Sequence, residues 1–151
     1  MHMITENLLV GNINDSKDPP VKIGALLLVA AEFSLEAPGW LISKRIPFSE
    51  YAEAEPLLLD QAVSWVEQHC SSNRVMVCCR AGMGRSVSVV MAYLCCVQGM
   101  AYADVFKLVM TRRPGATPLP KLEDAITQVR LLREARAKNK KDLDSGPPAG
   151  A

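Results

Sequence analysis

Cys79 and Arg85 stand with five residues between them, and two of those five are glycines, Gly82 and Gly84. A thiol and a guanidinium at that spacing can do together what neither does alone. Glycines let a short loop curl until successive N–H groups point inward. An arginine fork holds two oxygens of one oxyanion. A cysteine aimed into a ring of N–H dipoles gives up its proton readily and is expected to be a thiolate at neutral pH. A nucleophile beneath a bound tetrahedral oxyanion points to attack on phosphorus.

The neighbouring segments must position that loop. Arg74–Cys78 is a short apolar, β-branched run, which predicts a buried strand. Ser86–Val97 is an apolar run opening on a helix-capping residue type, which predicts a helix starting at Ser86. A strand therefore feeds the loop, and the loop feeds a helix N-terminus, whose unpaired N–H groups and partial positive charge attract anions.

The run Cys79-Arg80-Ala81-Gly82-Met83-Gly84-Arg85-Ser86 matches the CxxGxxRS signature and resembles the cysteine-dependent protein tyrosine phosphatases, in particular the small dual-specificity phosphatases. The resemblance implies one α/β domain, with a central, mostly parallel twisted sheet and helices on both faces. It implies Cys79 as nucleophile and Ser86 as hydrogen-bond donor to the departing thiolate. Phosphate is held by Arg85 and the loop from Arg80 through Ala81, Gly82, Met83 and Gly84. The subgroup's general acid is an Asp after an Ile-Pro-x-x step. Here that step reads Ile46-Pro47-Phe48-Ser49-Glu50, which assigns the acid to Glu50, with Glu53 and Glu55 as alternatives. A second departure is Cys78, where the family usually carries His.

The implied reaction removes phosphate from phosphotyrosine and phosphoserine/threonine proteins through a phosphocysteine, with no metal and no cofactor. Two alternatives stay open. One is a phosphatase for a phosphoinositide, sugar phosphate or nucleotide. The other is a weakly active phosphoprotein-binding module, since both departures touch catalysis.

Composition sets the frame. A chain of 151 residues with formal charge +1 and mixed signs reads as one domain, and nothing in it argues for nucleic acid or a polybasic membrane patch. The longest apolar run, Val87–Val97, is too short to span a bilayer, and no signal-peptide pattern opens the chain. Five cysteines with two adjacent pairs do not form a disulfide framework. The expectation is a cytoplasmic monomer acting on phosphorylated proteins. Cys95 and Cys96 lie too far along the helix to protect Cys79 by disulfide exchange, and Cys78 is read as core packing.

In chain order, strands are expected at Ile4–Gly11, Gly24–Ala31 and Trp40–Ile46, and a helical turn near Ser16 or Val21. A helix over about Glu55–Cys70 presents Leu58, Ala62, Trp65 and Val66 at helical spacing. Another covers about Tyr102–Thr111, with Val105, Leu108 and Val109 inward; Arg112 and Arg113 then either support the phosphate loop or, on the favoured reading, supply positive charge at the helix C-terminus. A last helix starts near Pro118 or Pro120 and ends near Ala137. Residues 1–137 thus form the catalytic domain, and 138–151, rich in Gly and Pro, a disordered tail.

Overall fold

A computed structural model describes residues 1–20 and 22–145. Five strands form one sheet: β1 (His2–Thr5), β2 (Leu8–Gly11), β3 (Ala25–Leu28), β4 (Ile42–Arg45) and β5 (Val75–Cys78). Five helices flank it: α1 (Ile13–Lys17), α2 (Pro56–Cys70), α3 (Arg85–Cys96), α4 (Tyr102–Arg112) and α5 (Leu122–Ser145). Spatial order is β1-β2-β5-β3-β4. Only the β1–β2 pair is antiparallel; the other pairs are parallel.

The three inner strands are buried at every position, as continuous apolar runs covered on both faces should be. β4 is an edge strand and its residues reach solvent. α3 packs on β5 and β2 and against α2, α4 and α5. Val87, Val89, Val90, Met91 and Ala92 are all fully buried, so beyond its polar first turn α3 is apolar nearly all round because it has no solvent face. Each such Val or Met side chain contributes roughly 1.5–3 kcal/mol by burial. α1 packs on β2 and β5. It lies on the side toward which Met76 points, since a Cβ on Gly11 would meet Met76 Sδ at 3.0 Å and Asp15 at 3.1 Å.

Register decides where the site can form. Gly11 and Leu28 both pair with Cys78, and Leu28 pairs with Arg45. Four parallel strands therefore end in one row. The loops that leave them open onto a single edge, the carboxyl edge where α/β sheets bind ligands.

Several expectations shift. The strand expected over Ile4–Gly11 is a hairpin, turning after Thr5. The helical turn sits at Ile13–Lys17, closed by a capping box between Asn12 and Asp15; the alternative at Val21 lies outside the described residues. In α2, Leu59 and Val63 join Ala62 and Val66 in the core, while Trp65 is half-buried and packs on His69 at 4.3 Å between ring centroids. Of the disordered tail expected over 138–151, residues 138–145 instead continue α5. That segment is Lys-, Asn-, Asp- and Leu-containing and holds no Gly or Pro before Gly146, so nothing in it breaks the helix. Residues 146–151 lie outside the described residues. Arg133 Nη2, which donates to both Glu67 oxygens, and a bidentate pair from Arg136 to Asp60 fasten α5 along α2.

Candidate active site

The loop from Cys79 to Arg85 leaves the central strand and turns inward. Cys79 Sγ lies 3.2 Å from Ser86 Oγ, and both residues are buried. Burial is the largest single influence on the thiol and opposes ionisation. The Ser86 hydroxyl and the N–H groups of Ser86, Gly82 and Met83 outweigh it, leaving Cys79 below the ordinary cysteine value. Cys78 is the opposite case. Burial, then the Asp15 carboxylate, push its thiol well up, and it is an inert core residue.

Inward N–H groups require outward carbonyls, and each carbonyl from Arg80 to Gly84 has a donor. Arg80 O accepts from Ile13 N at 3.1 Å and Met83 O from Thr117 N at 2.8 Å. Gly82 O and Ala81 O accept from the Arg113 guanidinium at 3.1 and 3.4 Å. Gly84 O accepts from Ser88 N and Ser88 Oγ. Gly82 adopts φ +70°, and a Cβ there would sit 2.8 Å from Gly11 O. Only glycine fits a left-handed turn pressed that closely on another backbone.

Two corrections belong here. Gly84, with no side chain to cap, precedes the helix, which starts at Arg85. Ser86 is therefore not the cap; its hydroxyl is committed to Cys79 instead. Arg113, for which the helix C-terminus is the favoured sequence reading and loop support the alternative, braces the loop. Its role depends on α4 ending beside the loop, which local sequence does not encode.

Arg85 is 3% exposed. Its Nη1 and Nη2 donate to the two oxygens of Glu32 at 2.6 and 2.5 Å, and Nη1 also donates to Phe48 O at 3.0 Å. The Arg85 hydrogen bonds hold the Glu32 carboxyl below its ordinary value. Glu32 escaped the sequence reading. It lies in a loop with no motif around it, and the only available signal is its position just past a strand paired with β5. Arg45 fixes that loop by donating to Ala31 O and Phe33 O, both at 2.8 Å, on either side of Glu32.

The three acidic candidates separate. Glu50 lines a cavity of about 450 Å³ together with Cys79, Arg80 and Arg85. Its Oε1 accepts from Arg80 Nε at 3.0 Å and from Arg80 Nη2. Glu53 pairs instead with Lys121 at 3.2 Å, and Glu55 stands at the N-cap position of α2 without a side-chain capping bond and does not line the cavity. Tyr51, Met83, Pro118, Leu119 and Pro120 give the cavity its apolar walls.

A thiol seated among loop N–H groups at the end of a parallel strand, with a buried arginine on the next helix, defines the cysteine-dependent tyrosine phosphatase class. The chain belongs to the dual specificity phosphatase family, since residues 25–136 match that family's catalytic domain. It is 27% identical to human dual specificity protein phosphatase 8 over 158 aligned positions, covering 97% of this chain and 24% of that protein. It is 29% identical to dual specificity protein phosphatase 1B of Arabidopsis thaliana, covering 78% of this chain and 74% of that one. The crystal structure of human DUSP28 superposes with a TM-score of 0.77 at 19% identity, covering 90% of this chain and 99% of the other. The chain thus spans about a quarter of the length of the human relative it matches. Among the described residues no helix is long and apolar enough to cross a membrane.

Proposed function

We propose that this protein hydrolyses phosphate monoesters on phosphotyrosine and phosphoserine/threonine side chains of proteins, through a phosphocysteine. The observation that carries the reading is Cys79, its proton affinity lowered by Ser86 and three loop N–H groups, facing the same cavity as Arg85 and Glu50.

Cys79 thiolate attacks phosphorus in line. The S–P bond forms as the bond to the leaving oxygen breaks, and Glu50 passes its proton to that oxygen. Arg85 and the N–H groups of the loop carry the charge on the equatorial oxygens, already oriented before substrate arrives. Water then attacks phosphorus and gives a proton to Glu50. The S–P electron pair returns to sulfur, where the Ser86 hydroxyl donates to the thiolate, and inorganic phosphate leaves. The loop's own field serves this chemistry, so the reading includes no metal or cofactor. A reducing compartment such as the cytoplasm suits the thiolate, and the proposed working unit is a monomer.

Phosphate release from para-nitrophenyl phosphate and from a phosphothreonine peptide, measured across pH, tests this. Cys79→Ser should abolish release from both substrates. Glu50→Gln should slow release from the peptide by roughly the 10²–10⁴ that a positioned general acid supplies. Release that persists in Cys79→Ser would overturn the nucleophile, and a wild-type protein that binds the peptide without releasing phosphate would overturn the activity.

A further inference from the structure

Arg80 follows the nucleophile directly and lines the same cavity, and its guanidinium is committed to the segment that carries Glu50. Nε and Nη2 both donate to one oxygen of Glu50, Oε1, and Nη2 also donates to Tyr51 Oη at 3.2 Å. Among the described residues, the other carboxylate oxygen, Oε2, has no hydrogen-bond partner. One oxygen is anchored and the other is left to work.

The segment that carries Glu50 is fastened on both sides. Phe48 O accepts from Arg85 and from Ala31 N. Ala54 N donates to Pro120 O at 3.1 Å, next to the Glu53–Lys121 pair. Between these points Tyr51 holds φ +62°, a conformation that a bulky residue adopts only where its surroundings compel it. Tyr51 is 80% exposed, so packing does not compel it. The contact that reaches it from outside its own segment is Arg80.

We propose that Arg80 is the positioning residue for Glu50. It docks the acid-bearing segment onto the nucleophile loop before substrate arrives and leaves Oε2 to deliver the proton. This rests on the phosphatase reading and makes a narrower demand. The benefit must appear where the leaving oxygen needs a proton, as with the alkoxide of threonine. It should be nearly absent where the leaving group is a stable phenolate.

The test compares kcat on a phosphothreonine peptide with kcat on para-nitrophenyl phosphate. In Arg80→Ala the peptide rate should fall about tenfold more than the para-nitrophenyl phosphate rate, a fraction of the 10²–10⁴ a general acid supplies. Arg80→Lys, which keeps the charge but not the fork, should recover part of that ratio. In a Glu50→Gln background, Arg80→Ala should leave the ratio unmoved, because no proton remains to be positioned. Equal loss on both substrates would overturn the inference and leave the acid assignment standing. A ratio unchanged in Glu50→Gln alone would overturn both. Phosphate release surviving Cys79→Ser would instead remove the phosphatase reading beneath them.

Discussion

Replacing Glu32 by glutamine removes the charge opposite a guanidinium that is 3% exposed, while Glu32 itself is 36% exposed. The pair is therefore neither fully buried nor free. Breaking a buried pair costs about 3–5 kcal/mol, and an exposed pair is worth roughly 0.2–1 kcal/mol. A half-screened pair of which one hydrogen bond survives in the amide falls near ~2 kcal/mol. For a chain of this size that lowers Tm by roughly 4–8 °C. If the same ~2 kcal/mol is lost from the transition state, because Arg85 no longer presents its fork in a fixed plane, kcat/KM falls about 30-fold.

Acid provides a second check. The Arg85 hydrogen bonds, the largest influence on Glu32, depress its carboxyl in the folded protein. A depressed carboxyl stabilises fully above its unfolded value, about 4.3, and that stability is lost as pH falls through the folded value. The Tm gap between wild type and Glu32→Gln should thus be full at neutral pH and close only below about pH 4. Thermal denaturation at several pH values, with kcat/KM beside it, makes the comparison. A gap under ~1 °C at neutral pH with kcat/KM within about twofold of wild type would refute the assignment of Glu32 as the anchor of Arg85.

Other expectations follow from the loop itself. Ser86→Ala removes the side-chain hydrogen bond to Sγ, so the midpoint for alkylation of Cys79 by iodoacetate should move up toward the ordinary cysteine value; an unmoved midpoint would assign the thiolate to the N–H groups alone. Gly82→Ala places a methyl 2.8 Å from Gly11 O at φ +70°. It should cost about 2 kcal/mol or more in thermal denaturation, and a Tm equal to wild type would mean that the loop relaxes around it.

The nucleophile loop was legible because its chemistry is local. Cys79, Gly82, Gly84, Arg85 and Ser86 fall within one short run, and strand, turn and helix follow one another without slack. Continuous apolar runs likewise marked β3, β5 and α3, since burial on all sides leaves no polar residue to confuse the pattern. The supports were not legible. Glu32, Arg45 and Arg113 reach the site only after the parallel register sets four strand ends in a row. Glu32 belongs to a segment remote in sequence from Cys79 and looks like an ordinary surface charge in its own neighbourhood; for Arg113 loop support is one of two readings, and the local sequence favours the helix C-terminus. The choice among Glu50, Glu53 and Glu55 was open for the same reason, and it was the partners, Arg80 for one and Lys121 for another, that separated them.

The substitution of Cys78 for histidine takes its meaning from those supports. A loop that points N–H groups inward at an anion must turn its carbonyls outward, and an outward carbonyl without a donor would pull the loop back toward an ordinary turn. Here the five consecutive carbonyls from Arg80 to Gly84 accept, in order, from Ile13, Arg113 twice, Thr117 and Ser88. These donors come from three segments outside the loop and from the helix that follows it. Cys79 N is itself tied to Gly11 O at 3.3 Å. None of these bonds uses the side chain at position 78, which is fully buried in the sheet. The orientation of the loop is therefore a product of the fold as a whole, complete before any phosphate binds, and a buried thiol before the nucleophile takes nothing away from it.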